Sequence, residues 1–249
     1  MISMEKQNKI AIIKLTRGVT NPINLELIRK LSDTLDNIEN DPEIRGLVLT
    51  SANDKFFSIG FDIPELIGLD EDDFGVFYRS VNQVCLKLYT LPKPTLAAVN
   101  GHAIAGGTVV ALCCDYRYIA DGRKLMGLNE IKLGVTVPYP VDCILRDLAG
   151  SRNATEIMES GEFYEPEVSL QMGLVDRIVP QGELLSESIK KIEQLGNMPA
   201  EAFAAIKRNK TEPMVKKIAE KLKEKEDLFI NLWFSDNARN ALNEAIKNF

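Results

Sequence analysis

Short apolar segments that favour β-strands alternate with helical patterns through the first 180 residues, and this alternation constrains the fold more than any other feature. The segments Ile10–Leu15, Gly46–Thr50, Thr95–Val99 and Tyr116–Ala120 have the length and apolar character of buried strands. A last short extended element is expected at Gly173–Val179. Strands that alternate with helices are typical of an α/β core. The sequence therefore predicts an α/β fold, with no strict internal repeat.

Apolar residues at helical spacing predict two long helices between these strands. The first opens at Asn21-Pro22 and runs to Asn40, where Asp41-Pro42 stops it. The second is Phe74–Leu88, preceded by the acidic stretch Asp70–Asp73, which is either solvated or a helix start. These two helices complete the α/β alternation.

The character of the chain changes after about residue 198 and becomes helical throughout. A charged run, Lys216–Asp227, is typical of a solvated helix face, and a final helix is predicted at Asn237–Lys247. Apolar residues around Trp233 either cap the core or meet another subunit, and the sequence leaves both open. We therefore divide the chain into a core, residues 1–198, and a helical C-terminal region, residues 199–249, for oligomerisation and pocket closure.

Composition and charge exclude several classes of protein. The formal net charge of −6 argues against a nucleic-acid partner, which requires a basic face. Apolar stretches fall far below the roughly 20 residues of a membrane helix, so we expect no membrane partner. The first nine residues have neither a signal-peptide core nor a transit-peptide composition. A cytoplasmic protein is the resulting prediction.

The cysteines and the single histidine limit the available chemistry. Four cysteines without C-x-x-C spacing do not form a recognisable disulfide framework, and one histidine, His102, makes a zinc site improbable. We therefore predict no metal. Ser-His and Cys-His catalysis would both need His102 itself as the base, whereas a structural histidine is the commoner case. Carboxylates must then carry most of any acid–base chemistry.

Three segments contain the residues on which such chemistry can depend. Gly106-Gly107 separates a strand from an apolar helix, where unpaired N–H groups favour negative charge; tight packing is the other interpretation. Phe57–Asp62 is a turn built around Gly60. Glu130 lies inside the apolar, glycine-bounded segment Gly127–Gly134, a setting that raises the pKa of a carboxyl group. Each segment alone is a weak signal.

Taken together and in order, these segments resemble the crotonase family, the enoyl-CoA hydratases and isomerases. The resemblance covers nearly the whole chain. It rests on Asn21–Asn24 (the family's early N-x-x-N), Phe57–Ile63 (F-S-A-G-x-D-L), Ala98–Arg117 (the glycine-rich helix entry) and Gly173–Asp176 (the late G-L-V-D). Four ordered matches with compatible spacing make a strong signal.

The resemblance implies a crotonase-like spiral of ββα units with a helical C-terminal region, assembled as a homotrimer or a dimer of trimers. It implies an acyl-CoA thioester substrate whose carbonyl oxygen is held by the backbone amides of Phe61 and Gly106. No cofactor is implied, because coenzyme A is part of the substrate. The substrate-binding positions carried over are Ile59, Gly60, Asp62, Ile63, Gly107 and Val109.

The position of Val109 favours an isomerase over a hydratase. Typical hydratases of the family hold a water between two glutamates, and here the first position is Val109 and the second is Glu130. Moving a double bond needs only one carboxylate, which removes a proton from C2 and returns it to C4. Ala105–Arg117 and Gly127–Gly134, with Pro138 shortly after, are also similar to the single-glutamate mitochondrial-type Δ3-Δ2-enoyl-CoA isomerases. We therefore predict a 3-enoyl-CoA isomerase.

Other reactions remain open on this scaffold. Val109 and Val135–Pro140 would shape a dry acyl pocket, but a hydratase with a displaced second acid, at Asp142 or Tyr139, is an alternative. A decarboxylase, a C–C bond-forming enzyme, a thioesterase and a non-catalytic CoA-binding subunit are further alternatives. Glu130, present where the isomerases need it, argues against the last of these.

Overall fold

The computed structural model describes residues 1–247. Its strands are β1 (Ile2–Gln7), β2 (Ile10–Leu15), β3 (Gly46–Ser51), β4 (Phe56–Ser58), β5 (Thr95–Val99), β6 (His102–Ile104), β7 (Tyr116–Ala120), β8 (Met126–Gly127), β9 (Phe163–Tyr164) and β10 (Arg177–Val179). Its α-helices are α1 (Leu25–Asn40), α2 (Ile63–Leu66), α3 (Glu71–Thr90), α4 (Gly106–Leu112), α5 (Tyr139–Ser160), α6 (Pro166–Met172), α7 (Leu184–Gly196), α8 (Ala200–Ala219), α9 (Leu222–Trp233) and α10 (Asp236–Ile246). A 3-10 helix, Glu130–Leu133, lies between β8 and α5.

Two sheets form the centre of the described chain. One has the strand order β1-β2-β3-β5-β7-β10 and the other the order β4-β6-β8-β9. The β1–β2 and β8–β9 pairs are antiparallel, and the remaining strand pairs are parallel. From β3 to β8 successive strands alternate between the sheets, and helices follow β4, β6 and β8. The predicted spiral of ββα units with a helical C-terminal region is confirmed.

Buried strands of the larger sheet occur where the sequence predicted them. Every residue of β3 is buried, because β2 and β5 flank this strand and helices cover the sheet. The edge strand β1 was not predicted, since its residues are mostly polar and exposed and show no apolar alternation. Its position depends on antiparallel pairing with β2, from Ile2 opposite Leu15 to Gln7 opposite Ile10.

The first helix begins later than the sequence pattern indicated. Asn21 has a φ of +46°, which is incompatible with a helix, and α1 starts at Leu25 instead. Asn24 is the N-cap, because its side chain accepts a hydrogen bond of 3.0 Å from the amide of Leu27. Asp70 caps α3 in the same way, so the acidic stretch is a helix start.

Several contacts hold the C-terminal helices against the core. Lys207 on α8 forms a buried ion pair of 2.6 Å with Asp115. On α9, the Trp233 ring stacks on Phe74 at 4.4 Å, and Trp233 is 1% exposed, so it caps the core of the chain. Most of the charged run is exposed as predicted, but Glu226 is buried and accepts a hydrogen bond from Asn82.

No helix within the described part of the chain has the length and apolar character needed to cross a membrane.

Candidate active site

A cavity of about 470 Å³ lies between the smaller sheet, the 3-10 helix and the C-terminal helices. Its wall is apolar and rich in aromatic side chains. Its lining residues are Phe56, Ile59, Phe61, Ile63, Ile104, Ala105, Gly106, Asn129, Glu130, Leu133, Val135, Pro138, Phe163, Phe229, Trp233 and Ala245. The start of α4, the loop after β4 and the segment that contains Glu130 therefore meet helices α9 and α10 around one cavity.

Asn21 holds the loop after β4 in place. Its buried side-chain amide donates hydrogen bonds to Ser51 Oγ at 2.8 Å and to the carbonyl of Phe57 at 3.1 Å. Ser58 Oγ in turn donates to the carbonyl of Asn21 at 2.7 Å. The N-x-x-N segment thus braces the loop through Asn21 and starts helix α1 through its N-cap, Asn24.

A short backbone pairing continues this brace along the loop. The amide of Ile23 donates to the carbonyl of Gly60 at 2.7 Å, and the amide of Asp62 donates to the carbonyl of Ile23 at 2.9 Å. Phe61 lies between these two bonds, and its ring meets Phe77 edge-on at 4.9 Å. Residues on both sides of Phe61 are therefore fixed, and so is the direction of its backbone amide.

The backbone amides of Phe61 and Gly106 belong to residues of the cavity wall. Within residues 1–247 neither Phe61 N nor Gly106 N donates a hydrogen bond to another protein group. Gly106 begins α4, and Ala105 before it has a φ of +46° and a ψ of −115°, a conformation that costs roughly 1–3 kcal/mol for a residue with a Cβ. Strain of this kind is concentrated at functional sites. Backbone N–H groups without protein acceptors are the kind of donor that stabilises a developing oxyanion in enzymes.

Two glycines are required by the close approach of the loop to α4. A Cβ added at Gly107 would lie 2.3 Å from the carbonyl oxygen of Ser58, so Gly107 serves tight packing. A Cβ at Gly106 would lie 3.1 Å from the ring of Phe61. Of this glycine pair, Gly106 lies at the cavity wall and Gly107 at the packing contact, as the packing interpretation expects for Gly107.

Glu130 is the titratable side chain on the described cavity wall. It is 6% exposed, and its Oε2 atom has no hydrogen-bond partner among the described residues. Burial raises the pKa of Glu130 to about 8, because removal from water disfavours the carboxylate. Of the side chains that line the cavity within residues 1–247, only that of Glu130 is titratable. A neutral carboxyl group that ionises near neutral pH is suited to proton transfer.

The predicted site residues divide into two groups. The cavity wall contains Ile59, Phe61, Ile63, Gly106 and Glu130. The remaining four, within the described chain, lie outside that wall: Gly60, Asp62, Gly107 and Val109.

The side chains in this second group have structural surroundings. Asp62 caps α2 through the amide of Glu65 and forms an ion pair with Arg17. Val109 is fully buried in the main hydrophobic core. Neither residue lies on the cavity wall, and among residues 1–247 that wall contains no carboxylate besides Glu130.

The alternative acid–base residues also lie away from the cavity wall as far as the chain is described. Asp142 accepts a hydrogen bond of 2.6 Å from Arg146, four residues later on α5. Nδ1 of His102 accepts a hydrogen bond from the amide of Leu125 at 2.9 Å, and burial lowers the pKa of His102, as do nearby cations. His102 therefore has the surroundings of a structural histidine.

The sequence patterns did not identify Asn129 and Phe229 as cavity residues, and left Trp233 between two interpretations. Asn129 precedes Glu130, and its place inside the same glycine-bounded segment was an available signal. Phe229 and Trp233 reach the cavity only because α9 packs on α3, through the Tyr78–Phe229 stack at 3.9 Å among others. Contacts between elements so distant in sequence have no local signature.

Comparison with known proteins agrees with this geometry. Residues 5–249 match the family described as enoyl-CoA hydratase/isomerase. The mitochondrial enoyl-CoA delta isomerase 1 of Homo sapiens is 34% identical over 194 residues, which are 78% of this chain and 64% of that protein. A putative enoyl-CoA hydratase of Thermus thermophilus is 34% identical over 198 residues, 78% of this chain and 77% of that protein. The match thus spans just under two thirds of the human relative.

A solved structure has the same fold as this chain over nearly the full length of both proteins. The crystal structure of human mitochondrial delta3-delta2-enoyl-CoA isomerase superposes with a TM-score of 0.95 at 28% sequence identity. The alignment covers 99% of this chain and 97% of that one. The resemblance therefore includes the C-terminal helices as well as the spiral.

Proposed function

The chain belongs to the enoyl-CoA hydratase/isomerase family, and we propose that it moves the double bond of a 3-enoyl-CoA to the 2-position. The observation that carries this proposal is that Glu130 is the only titratable side chain on the described cavity wall. One carboxylate is enough for a proton to leave one carbon and return to another. The amides of Phe61 and Gly106 complete the site.

The first step removes a proton from C2 of the substrate. The carboxylate of Glu130 accepts this proton, and the electron pair of the C2–H bond is delocalised onto the thioester oxygen. That oxygen then accepts hydrogen bonds from the backbone amides of Phe61 and Gly106. Removing one such donor costs roughly 3–4 kcal/mol in other enzymes, so this stabilisation is a leading part of the rate enhancement.

The second step returns the proton to C4. The electron pair of the former C3–C4 double bond takes the proton from Glu130, and a C2–C3 double bond conjugated with the thioester remains. The raised pKa of Glu130, about 8, helps both steps, because the group must be a base first and an acid afterwards. The reaction consumes no water and requires no cofactor beyond the CoA of the substrate.

Hydration would make a further demand on the cavity. A water that adds to the double bond must be held and polarised while a second group moves a proton. The cavity wall that contains Glu130 also contains apolar side chains such as Val135 and Pro138. An apolar wall keeps water from the enolate and favours return of the proton to carbon.

The assembly and location of the protein are further parts of the proposal. We propose a homotrimer or a dimer of trimers in the cytoplasm. In this arrangement the C-terminal region, residues 199–249, contributes to subunit contacts as well as to the cavity wall through Phe229, Trp233 and Ala245. Light scattering coupled to size-exclusion chromatography would measure the assembly.

The test is an assay of the wild type and Glu130→Gln with a 3-enoyl-CoA in deuterated water. Glutamine keeps the size of the side chain and removes its basicity. We expect wild type to form the conjugated 2-enoyl product without a 3-hydroxyacyl species, with deuterium at C4 only to the extent that Glu130 exchanges its proton with solvent before returning it, and the variant to lose most of the rate. Asp142→Asn is the matched control, because Asp142 lies off the described cavity wall and is paired with Arg146.

Each other outcome points to a different reaction of the family. A 3-hydroxyacyl product would identify a hydratase, and free CoA would identify a thioesterase. Loss of carbon dioxide from a carboxylated acyl-CoA would identify a decarboxylase. Tight acyl-CoA binding without turnover of any of these substrates, unchanged in Glu130→Gln, would identify a binding subunit.

A further inference from the structure

One side of the cavity is a double layer of aromatic rings. Three aromatic residues of the described wall each pack against a ring of helix α3. The pairs, with the distances between ring centroids, are Phe61 and Phe77 at 4.9 Å, Trp233 and Phe74 at 4.4 Å, and Phe229 and Tyr78 at 3.9 Å. The three α3 residues follow one another at i, i+3 and i+4, so they share one face of the helix.

This double layer cannot recede from a ligand. The α3 rings are at most 1% exposed and belong to the main hydrophobic core. Protein interiors are close-packed, so a wall ring that moved back would have to displace one of these core rings. The layer therefore fixes the extent of the cavity on the side of α9.

Exposure differs along the cavity wall and shows which end is closed. Phe163 is 37% exposed, whereas Phe229 and Trp233 are each 1% exposed and Glu130 is 6% exposed. The mouth therefore lies toward Phe163 and the closed end toward α9. Burial raises the pKa of Tyr78, and the negative charge of Glu130 adds to this rise, so Glu130 lies within electrostatic range of the ring that backs Phe229. Glu130 thus lies toward the closed end.

The volume of the cavity limits its occupant as well. A water molecule takes about 30 Å³ of liquid and a methylene group is of similar size, so about 470 Å³ holds roughly fifteen such groups. A twelve-carbon acyl group with its sulfur and oxygen would fill nearly all of this space. A six-carbon acyl group would leave about half of it for the end of the pantetheine arm, which has to pass through the mouth.

We propose that this enzyme acts on short acyl chains, of about six carbons or fewer, and that Phe229 and Trp233 set this limit as specificity-determining residues. The inference rests on the proposed function, because it takes the acyl chain as the occupant of the closed end of the cavity. With C2 and C4 held at Glu130, the carbons beyond C4 meet the rings of α9.

The test compares 3-hexenoyl-CoA with 3-dodecenoyl-CoA, both below their micelle-forming concentrations. The wild-type kcat/KM is expected to be at least about tenfold higher for the six-carbon substrate, because the longer chain has to displace packed rings. Equal values, or a preference for the twelve-carbon substrate, would overturn the inference. This comparison needs no variant.

Two variants test which residues set the limit. Phe229→Leu and Trp233→Leu each replace a ring of the closed end by a smaller apolar side chain. We expect each to raise the ratio of dodecenoyl to hexenoyl kcat/KM by about fivefold or more, and either one suffices if the other does not fold. Phe234→Leu is the matched control, because Phe234 contacts the same Phe74 ring at 5.8 Å but lies off the described wall. A ratio that rises equally in the control, or in none of the variants, would overturn the role of Phe229 and Trp233.

Binding separates failure of this inference from failure of the proposed function. If wild type isomerises both substrates equally well, the isomerase stands and the length limit is wrong. If it isomerises neither, the isomerase is wrong, and calorimetric dissociation constants of hexanoyl-CoA and dodecanoyl-CoA decide on chain length. Burial of six further methylene groups in an apolar pocket would tighten binding by more than about a hundredfold. Dodecanoyl-CoA that binds no more than about tenfold tighter than hexanoyl-CoA supports the limit, and tighter binding than that overturns it.

Discussion

A Cβ added to Gly60 would lie 2.8 Å from the backbone nitrogen of Gly106, although the two residues belong to different segments of the chain. The same atom would lie 2.9 Å from the carbonyl oxygen of Ile104. Gly60 also has a φ of +95°, which residues with a Cβ rarely adopt. This glycine thus leaves room for the N–H of Gly106, even though it does not itself lie on the described cavity wall.

Gly60→Ala is therefore expected to reduce kcat more than it raises KM. The new methyl group would crowd the Gly106 amide and displace the neighbouring amide of Phe61, both of which are proposed to hold the enolate oxygen. Loss of one such donor lowers kcat by about 10²–10³ in other enzymes. Steady-state kinetics with a 3-enoyl-CoA measures the change.

Gly122→Ala is the matched control for backbone strain. Gly122 has a φ of +76°, and a Cβ built there meets no atom within 4 Å. Alanine at position 122 therefore imposes the strain of a positive φ without crowding a backbone amide. An equal fall in kcat in both variants would mean that strain, rather than access to the Gly106 amide, accounts for the effect.

Activity is expected to rise with pH toward a midpoint near 8. Burial raises the pKa of Glu130 to about 8, so below that pH most of the free enzyme holds a proton on its base. kcat/KM should fall about fivefold over the first unit below this midpoint and about tenfold for each further unit. The profile should be repeated with a pantetheine thioester, which lacks the titrating phosphate groups of CoA. A flat profile between pH 6 and 8 would contradict the assignment.

Glu130→Gln is expected to be more stable than wild type at neutral pH. Glutamate in the unfolded chain loses its proton near pH 4.5, whereas Glu130 in the folded chain keeps it to about pH 8. Between these values the folded state holds more protons, so the stability of wild type falls as pH rises, by at most about 1.4 kcal/mol per unit. Glutamine does not titrate.

Urea denaturation at pH 5.5, 6.5 and 7.5 measures this difference. The advantage of Glu130→Gln in unfolding free energy should grow with each step of pH and level off above about 8. Glu162→Gln is a suitable control, since Glu162 is exposed and pairs with Lys132. An advantage that stays constant with pH would show that Glu130 is not a buried proton-holding group.

Much of the fold could be predicted from the sequence because the larger sheet is buried on both faces. Strands β2, β3, β5 and β7 are buried along nearly their whole length and are mostly apolar, and this leaves a clear signal. The two- and three-residue strands of the smaller sheet are too short for any periodicity to mark them. The positions of these strands are determined by hydrogen bonding to neighbouring strands, which forms only in the folded chain.

The candidate site was predictable to the extent that it depends on local motifs. Gly106, Phe61 and Glu130 stand beside glycines or in a glycine-bounded segment, and the fold brings all three to one cavity. By contrast, Trp233 reaches that cavity through the packing of α9 on α3. The positive φ of Asn21 was equally hidden, because an asparagine before a proline also fits a helix start.

Docking of the C-terminal region should depend on the ion pair of Lys207 with Asp115. Lys207 is 4% exposed, and its Nζ donates to Asp115 Oδ2 at 2.6 Å and to the carbonyl of Lys93 at 3.2 Å. Lys207→Met removes the buried cationic partner of the Asp115 carboxylate, which also accepts a hydrogen bond from the amide of Thr95. Breaking a buried pair in this way costs about 3–5 kcal/mol of unfolding free energy.

Lys210→Met removes the other cation from the same carboxylate and serves as the comparison. Lys210 is about half exposed and meets Asp115 Oδ1 at 3.2 Å, so its loss should cost less than about 1 kcal/mol. Urea denaturation of both variants measures the difference, and hydrogen exchange of α9 shows whether the wall that carries Trp233 loosens with α8. Faster exchange in α9 for Lys207→Met, but not for Lys210→Met, would mean that the buried pair holds the cavity closed. Equal losses of stability in the two variants would instead mean that Asp115 is solvated. Solvent would then screen its interactions with Lys207 and Lys210 to a similar extent.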